Sequence, residues 1–467
     1  MALLSAEAVS FAFPQAGHGL EPVSLQVEPG QALFIQGDSG CGKSTLARCL
    51  SGLIPHLYHG DYSGSVALDG LCVEQTPLWK LSEKAGLVFQ NPAAQMLAGT
   101  VEGEILFGLE NSGLPLPIAQ ERLEKALQDY GLAALRQRAP QTLSGGEQQK
   151  LALAAITARH PQVLVLDEPL SMLDTSAASQ FVAALADLVN AGTALVICEH
   201  RQDYLKNLPN LMRLELPGRN QPQEAEALEF SPAVADSSWE LQVKDLSVRR
   251  DGNLILDRIN LELPGGTLVA LVGRNGAGKT TLLRAMAGLQ PYSGELAISK
   301  AGQPIKPELG LVFQNADLQL FNATVREEIL YRIPQPDLRL YFDLLRALDL
   351  ERYEQAPPLL LSEGEKRRLA LASVLMRQPE HGILLDEPAL GQDAAHKAML
   401  LRILRAIAAS GKLALFSTHD IELASQADVM MLLHPAGIIA SGTPQQVLAD
   451  QAAWQKLGLL IPEWLQR

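Results

Sequence analysis

The 467-residue chain carries the same set of modules twice. Gly37-Asp38-Ser39-Gly40-Cys41-Gly42-Lys43-Ser44-Thr45 returns 236 residues later as Gly273-Arg274-Asn275-Gly276-Ala277-Gly278-Lys279-Thr280-Thr281. VFQN recurs with Gln90 and Gln314, LSGGE at Leu143–Glu147 becomes LSEGE at Leu361–Glu365, and LDEP at Leu166–Pro169 returns at Leu385–Pro388. The order is kept while the offset falls from 236 to 224, 218 and 219, so the second copy is shorter between its glycine-rich loop and its Leu-Ser module. A repeat of this length is a duplicated domain, and domains of about 100–200 residues allow two in this chain.

Between the copies, residues 217–238 are polar, with three prolines and a single basic residue, Arg219. Such a stretch reads as a linker, which places the domains at 1–216 and 239–467. After the last shared strand, Trp454, Leu457, Leu459, Leu460 and Trp464 predict a helical tail within Gly442–Arg467, docked on its own domain, with a dimer or partner contact as the alternative.

Apolar runs at Ala32–Gln36 and Leu268–Val272 lead into the glycine-rich loops, and helical spacing follows at Thr45–Leu53 and Thr281–Leu289. Val163–Leu166, Gly382–Leu385, Ala194–Cys198 and Leu413–Ser417 read as further buried strands. Strands alternating with helices predict an α/β fold with a mainly parallel sheet in each half.

With 47% hydrophobic residues the chain can bury sizeable cores, and a net charge of −14 argues against a binder of nucleic acid or anionic lipid held by long-range field. No apolar run reaches the roughly 18–20 residues that cross a bilayer. No basic residue precedes Lys43, so a charged leader region is not expected, and the expectation is a cytoplasmic protein. Four scattered cysteines, Cys41, Cys49, Cys72 and Cys198, give neither a disulfide frame nor a zinc site.

The pattern GxxxxGK[ST] needs glycines because backbone N–H groups must converge on phosphate oxygens without side chains between them. Lys43 and Lys279 would reach the β- and γ-phosphates, and the Ser44 and Thr280 hydroxyls would bind Mg²⁺. Asp167 and Asp386 end apolar strands, where a carboxylate can orient the metal, and Glu168 and Glu387 follow, placed to polarise a water. Cys41, beside Lys43 and a helix start, is the one cysteine whose thiol could be activated.

LSGGEQQK between the glycine-rich loop and VLVLDEP resembles the signature of ABC-type ATPases, and the resemblance covers nearly the whole chain. It implies two tandem P-loop NTPase domains, each with a parallel sheet core, a helical signature subdomain and an N-terminal antiparallel β subdomain. It implies ATP and Mg²⁺ as ligands, Gln90 and Gln314 as residues sensing the γ-phosphate and metal, and His200 and His419 as contacts to the γ-phosphate. Asp174 and Asp393 would communicate between halves, and Phe13 would stack on adenine. Relatives pair head to tail, so Ser144, Gly145 and Gly146 would close the pocket of Lys279, and Ser362 and Gly364 that of Lys43, both within one chain.

A narrower resemblance lies in Val88–Pro115, echoed at Val312–Tyr331, and in Glu199-His200-Arg201: these are similar to ATPases of energy-coupling factor transporters, which import vitamins or metal ions. It implies a peripheral protein on the cytoplasmic face of the inner membrane, powered transport through separate coupling and substrate-binding membrane subunits, and no nucleic-acid partner. Gln95–Leu97 and Gln319–Phe321 are the candidate contacts to the membrane subunits. The alternatives are a fused sugar-importer ATPase and a soluble translation or repair factor. The linker lacks the long basic helix expected of ribosome-associated relatives, and the cysteines lack the CxxC pairs of repair relatives.

The copies differ where Glu363 replaces Gly145. A carboxylate about 4 Å from a phosphate charge costs about 1 kcal/mol in water and about 4 kcal/mol at an effective dielectric of 20. The pocket of Lys43 should therefore be the slower one. Glu387→Gln is expected to remove more steady-state ATPase activity than Glu168→Gln; equal losses would contradict the asymmetry.

Overall fold

A computed structural model describes residues 2–14, 19–37, 40–171, 173, 175–200, 202–217, 239–250, 252–300, 303–390, 392–459 and 461. The chain separates into two compact units, Met1–Arg219 and Asn220–Arg467. Apart from Pro217, the expected linker lies outside the described residues, as do Asp38, Ser39, Asp174, Leu460 and Trp464.

In the first unit five parallel strands run in the order Ala85–Val88, Val163–Asp167, Ala194–Cys198, Ala32–Gln36, Leu211–Glu215. The middle three are almost wholly buried, which explains their unbroken apolar sequences: helices cover both faces of a parallel sheet. A separate antiparallel sheet of Gly19–Val27, Leu4–Ala12, Asp61–Leu68 and Leu71–Cys72 stands beside it. Helices Val101–Asn111, Leu116–Asp129 and Gly145–Thr157 pack their own apolar cluster around Ile105, Leu123, Leu127 and Leu151.

The second unit repeats the plan. Its six-stranded sheet runs Leu309–Val312, Gly382–Asp386, Leu413–Thr418, Leu268–Val272, Val429–His434, Gly437–Gly442, with only the last strand antiparallel. The falling offset has a structural cause. Among the described residues, short helices Leu53–His56 and Leu78–Lys84 have no counterpart between Met286 and Leu309, and helix Val101–Asn111 shrinks to Val325–Leu330. The helices behind the glycine-rich loops span Lys43–Leu50 and Lys279–Met286, ending before the predicted Leu53 and Leu289 because Gly52 and Gly288 turn left-handed.

Helices Pro444–Ala449 and Gln451–Leu457 form the expected tail. Trp454, Leu457 and Leu459 are buried in the second unit's own core, and Trp454 Nε1 donates to Val447 O at 2.8 Å. Among the described residues no helix is long and apolar enough to cross a membrane.

In both units the strand before the VFQN module packs a glycine onto the signature helix. A Cβ on Gly86 would lie 2.2 Å from Ile156 Cγ2, and one on Gly310 2.5 Å from Val374 Cγ1. Gly86→Ala and Gly310→Ala should each lower stability by about 1–3 kcal/mol in denaturant titrations, as overpacked cores do. Gly99→Ala, with open space around it, should leave stability unchanged.

Candidate functional site

Parallel strands deliver their ligand-binding residues at their carboxyl ends. Lys43, Gln90, Asp167 with Glu168, and His200 each follow such an end in the first unit, and Lys279, Gln314, Asp386 with Glu387, and His419 do so in the second. The turn into each lysine helix demands glycine: Gly42 has φ 103° and Gly278 φ 97°. A side chain at Gly278 would also strike Leu256, whose Cδ2 is 2.6 Å from the Cβ position.

Each lysine is buried beneath its loop. Lys43 Nζ donates to Gly37 O at 2.7 Å, and Lys279 Nζ donates to Gly273 O at 2.6 Å. In the second unit Lys279 Nζ also lies 3.3 Å from Glu387 Oε1, and His419 Nδ1 lies 3.0 Å from Glu387 Oε2. Burial pushes the Glu387 carboxyl upward, but the His419 and Lys279 charges outweigh it and hold it at about 2. In the first unit Gln90 Nε2 donates to Glu168 Oε2 at 2.6 Å, and His200 Nε2 stands 3.5 Å from Glu168 Oε1. Both glutamates sit in the left-handed region, at φ 46° for Glu168 and 49° for Glu387, a conformation non-glycine residues hold at a cost of about 1–3 kcal/mol.

The aspartates beside them differ. Asp386 Oδ2 accepts from the Thr280 hydroxyl at 2.6 Å and Oδ1 from the Ser417 hydroxyl at 2.7 Å, while Ser417 Oγ in turn accepts from Glu387 N at 3.0 Å. Cys198 occupies the place of Ser417 and turns its thiol to Lys43 O at 3.7 Å. Asp167 keeps its bond with Ser44, but its Oδ1 is buried with no hydrogen-bond partner. Burial, with the Glu168 charge adding to it, pushes Asp167 up to about 6 against Ser44, Arg48 and Lys43. Burial raises Asp386 too, opposed by the Thr280 and Ser417 hydrogen bonds.

A hydroxyl and a carboxylate meeting at a buried edge are a hard-oxygen donor set that fits Mg²⁺, and the open Oδ1 of Asp167 is an acceptor a metal-bound water would satisfy. The glycine cradles fit phosphate: side chains placed at Gly40 or Gly276 would project into open space. Arg274, Asn275 and Ala277 complete the described parts of the two loops, and Thr45 and Thr281 lie in the first turn of the helices that follow.

The signature serines start helices. Ser144 and Glu147 form a capping box on Gly145–Thr157, with Gly146 in its first turn, and Ser362 and Glu365 form one on Glu363–Leu375. Glu363, adjacent to Gly364, does not stand as an isolated charge, because Lys366 Nζ lies 3.6 Å from its Oε1 and 2.8 Å from Asp317 Oδ1.

Three other expectations are sharpened. Phe13 is partly buried, its ring edge-on to Phe11 at 4.8 Å. Cys41 is buried, because the loop folds its sulfur under Gly37, so a reagent has little access to the thiol. Asp393 caps its own helix, accepting from His396 N at 2.9 Å, and pairs with the His396 ring at 2.7 Å.

The segment after each VFQN module is held by the two glutamines read from the sequence as partner contacts and by two glutamates the sequence did not single out. Gln95 and Gln319 point inward, spanning Phe89 N and Leu87 O in one unit and Phe313 N and Leu311 O in the other. Buried Glu104 accepts from Leu97 N at 2.8 Å and Ala98 N at 2.7 Å; buried Glu328 accepts from Phe321 N at 2.9 Å and Asn322 N at 2.8 Å. The signal was available: a Thr cap followed four residues later by Glu in both TVEGE and TVREE. These clamps leave Leu97 72% and Phe321 66% exposed.

The ABC transporter family matches residues 20–171 and 256–390, which hold the glycine-rich loop, VFQN module, signature and Asp-Glu pair of each unit, while His200 and His419 lie beyond the matched spans. The chain belongs to the ABC transporter family. It carries two tandem ABC ATPase domains, which bind and hydrolyse ATP, generally with Mg²⁺. It is 33% identical to a Bacillus subtilis protein named as a candidate HMP/thiamine import ATP-binding protein, YkoD, covering 99% of this chain and 96% of that one. It is 34% identical to a Treponema denticola protein named as a candidate ABC transporter ATP-binding protein, covering 86% and 88%. In fold it is similar to a solved RNase-L Inhibitor, at TM-score 0.58 and 20% identity over 94% of this chain and 92% of that one.

Ser417→Ala removes the donor to a buried carboxylate and should cost the nucleotide-free protein about 1–3 kcal/mol, read as a lowered unfolding midpoint of the second unit. An unchanged midpoint would show that Asp386 does not depend on that bond.

Proposed function

We propose that this ABC ATP-binding protein is the motor of an energy-coupling factor type importer for a vitamin, a vitamin precursor or a metal ion. The observation that carries the reading is the paired display of Leu97 and Phe321, apolar side chains held outward by buried carboxylates at equivalent places in both units. Solvent gives no reason to build the same exposed apolar tip twice; a membrane subunit seated on it does. The resemblance of the surrounding sequence, and the name of the Bacillus subtilis relative, support import of a small solute such as HMP or thiamine. In this reading the protein is peripheral on the cytoplasmic membrane face, and coupling and substrate-binding subunits supply the pathway. The likeness to the RNase-L Inhibitor, at 20% identity, bears on fold alone.

The proposed division of labour follows the geometry of each unit. Backbone amides of the glycine-rich loops and the Lys43 and Lys279 ammonium groups hold the phosphates. Ser44, Gln90 and Asp167, and Thr280, Gln314 and Asp386, hold Mg²⁺, which neutralises phosphate charge when bound. Glu168 and Glu387 orient the attacking water, and His200 and His419 contact the γ-phosphate. In the second unit Lys279 must exchange Glu387 for phosphate, which frees the carboxylate to accept a hydrogen bond from water. In this reading residues 217–238 join two ATPase domains, 1–216 and 239–467, each carrying its own phosphate loop and its own signature serine.

Leu97→Asp combined with Phe321→Asp tests the docking surface. Co-expressed with the membrane proteins encoded by neighbouring genes, the double variant should lose co-purification and thiamine or HMP uptake while retaining nucleotide binding. Unchanged co-purification would contradict the docking assignment, and intact assembly without uptake of either compound would contradict the cargo.

A further inference from the structure

We infer that Glu199 is a positioning residue of the first unit, tying the histidine strand to the segment that follows the catalytic glutamate. Glu199 is 2% exposed. Its Oε1 accepts from His200 N at 2.7 Å and its Oε2 from Leu170 N at 2.9 Å. One carboxylate thus joins two chain segments 29 residues apart in sequence. His200 faces Glu168, and Leu170 lies two residues beyond Glu168 at the start of the run toward Asp174. A buried carboxylate is retained where charge-assisted bonds satisfy it, and two backbone donors do so here.

Among the described residues of the second unit no bond makes this tie. Thr418 occupies the equivalent position and its Oγ1 accepts from Asp420 N at 2.9 Å, serving only its own turn. A threonine side chain is two bonds shorter than glutamate and serves one local donor, where Glu199 spans two segments. The consequence is specific to the pocket of Lys43: its histidine and the chain leading to its aspartate are fixed to one another, and a displacement of either is transmitted to the other. In the second unit the histidine strand reaches the backbone of Glu387 through Ser417, and Thr418 adds no bond to the segment beyond it. This inference rests on ATP hydrolysis at the first unit and is independent of what the protein transports.

The test is amide hydrogen exchange on the full-length, nucleotide-free protein together with turnover in a Glu387→Gln background, which isolates the first unit's chemistry. Glu199→Thr should speed exchange at the Leu170 and His200 amides by tenfold or more, leave Ala389 and His419 unchanged, and lower kcat about tenfold with KM for ATP altered less than threefold. Glu199→Gln, which retains one oxygen acceptor, should speed exchange at one of the two amides and give an intermediate kcat; it serves as the reading if the threonine variant does not fold. Unchanged exchange in the variants would overturn the tie. Faster exchange with unchanged kcat would overturn its part in positioning and leave Glu199 a structural residue.

Discussion

An ammonium buried under a loop of backbone amides is the constraint on which each unit is organised. Lys43 and Lys279 are both withdrawn from water, and a charge so placed must be met by carbonyls and carboxylates or the fold is destabilised by several kcal/mol. The parallel sheet solves this by ending its central strands at the same edge: the glycine-rich loop leaves one strand, the Asp-Glu pair another and the histidine a third. The strained φ of Glu168 and Glu387 is the local cost of turning a carboxylate back toward that edge, and its appearance in both copies marks it as part of the arrangement.

Duplication has not produced two equal sites. Ser417 links Asp386 to the backbone of Glu387, whereas Cys198 leaves Asp167 Oδ1 without a partner. Glu199 binds two segments where Thr418 serves one turn. The difference expected from Glu363 is softened by Lys366, which shares that carboxylate's charge within the same helix. The inequality between the two units therefore resides in the residues beneath their loops.

Features carried by contiguous residues were legible in the sequence. The strands Ala32–Gln36, Leu268–Val272 and Ala194–Cys198 stand where unbroken apolar runs placed them, because burial on both faces leaves no polar interruption. The glycine-rich loops announce themselves by local chemistry, and the tail folded onto its own unit as the Trp454 and Leu457 spacing implied. Contacts made across long stretches of chain were not legible. Gln90 meets Glu168 from 78 residues away, and the sequence had cast it as a sensor of phosphate without showing its carboxylate partner. Gln95 and Gln319 looked like surface contacts but are consumed by backbone groups of the preceding strand, and Cys41, read as a thiol that could be activated, is folded beneath its loop.

Nucleotide stoichiometry is the most direct measure of the central claim that each unit builds its own phosphate-holding loop. With both catalytic glutamates replaced by glutamine to prevent turnover, equilibrium dialysis with Mg²⁺ and labelled ATP should give two nucleotides per chain, falling to one when either Lys43 or Lys279 is changed to alanine. A single nucleotide bound by the chain with both lysines intact would contradict the account.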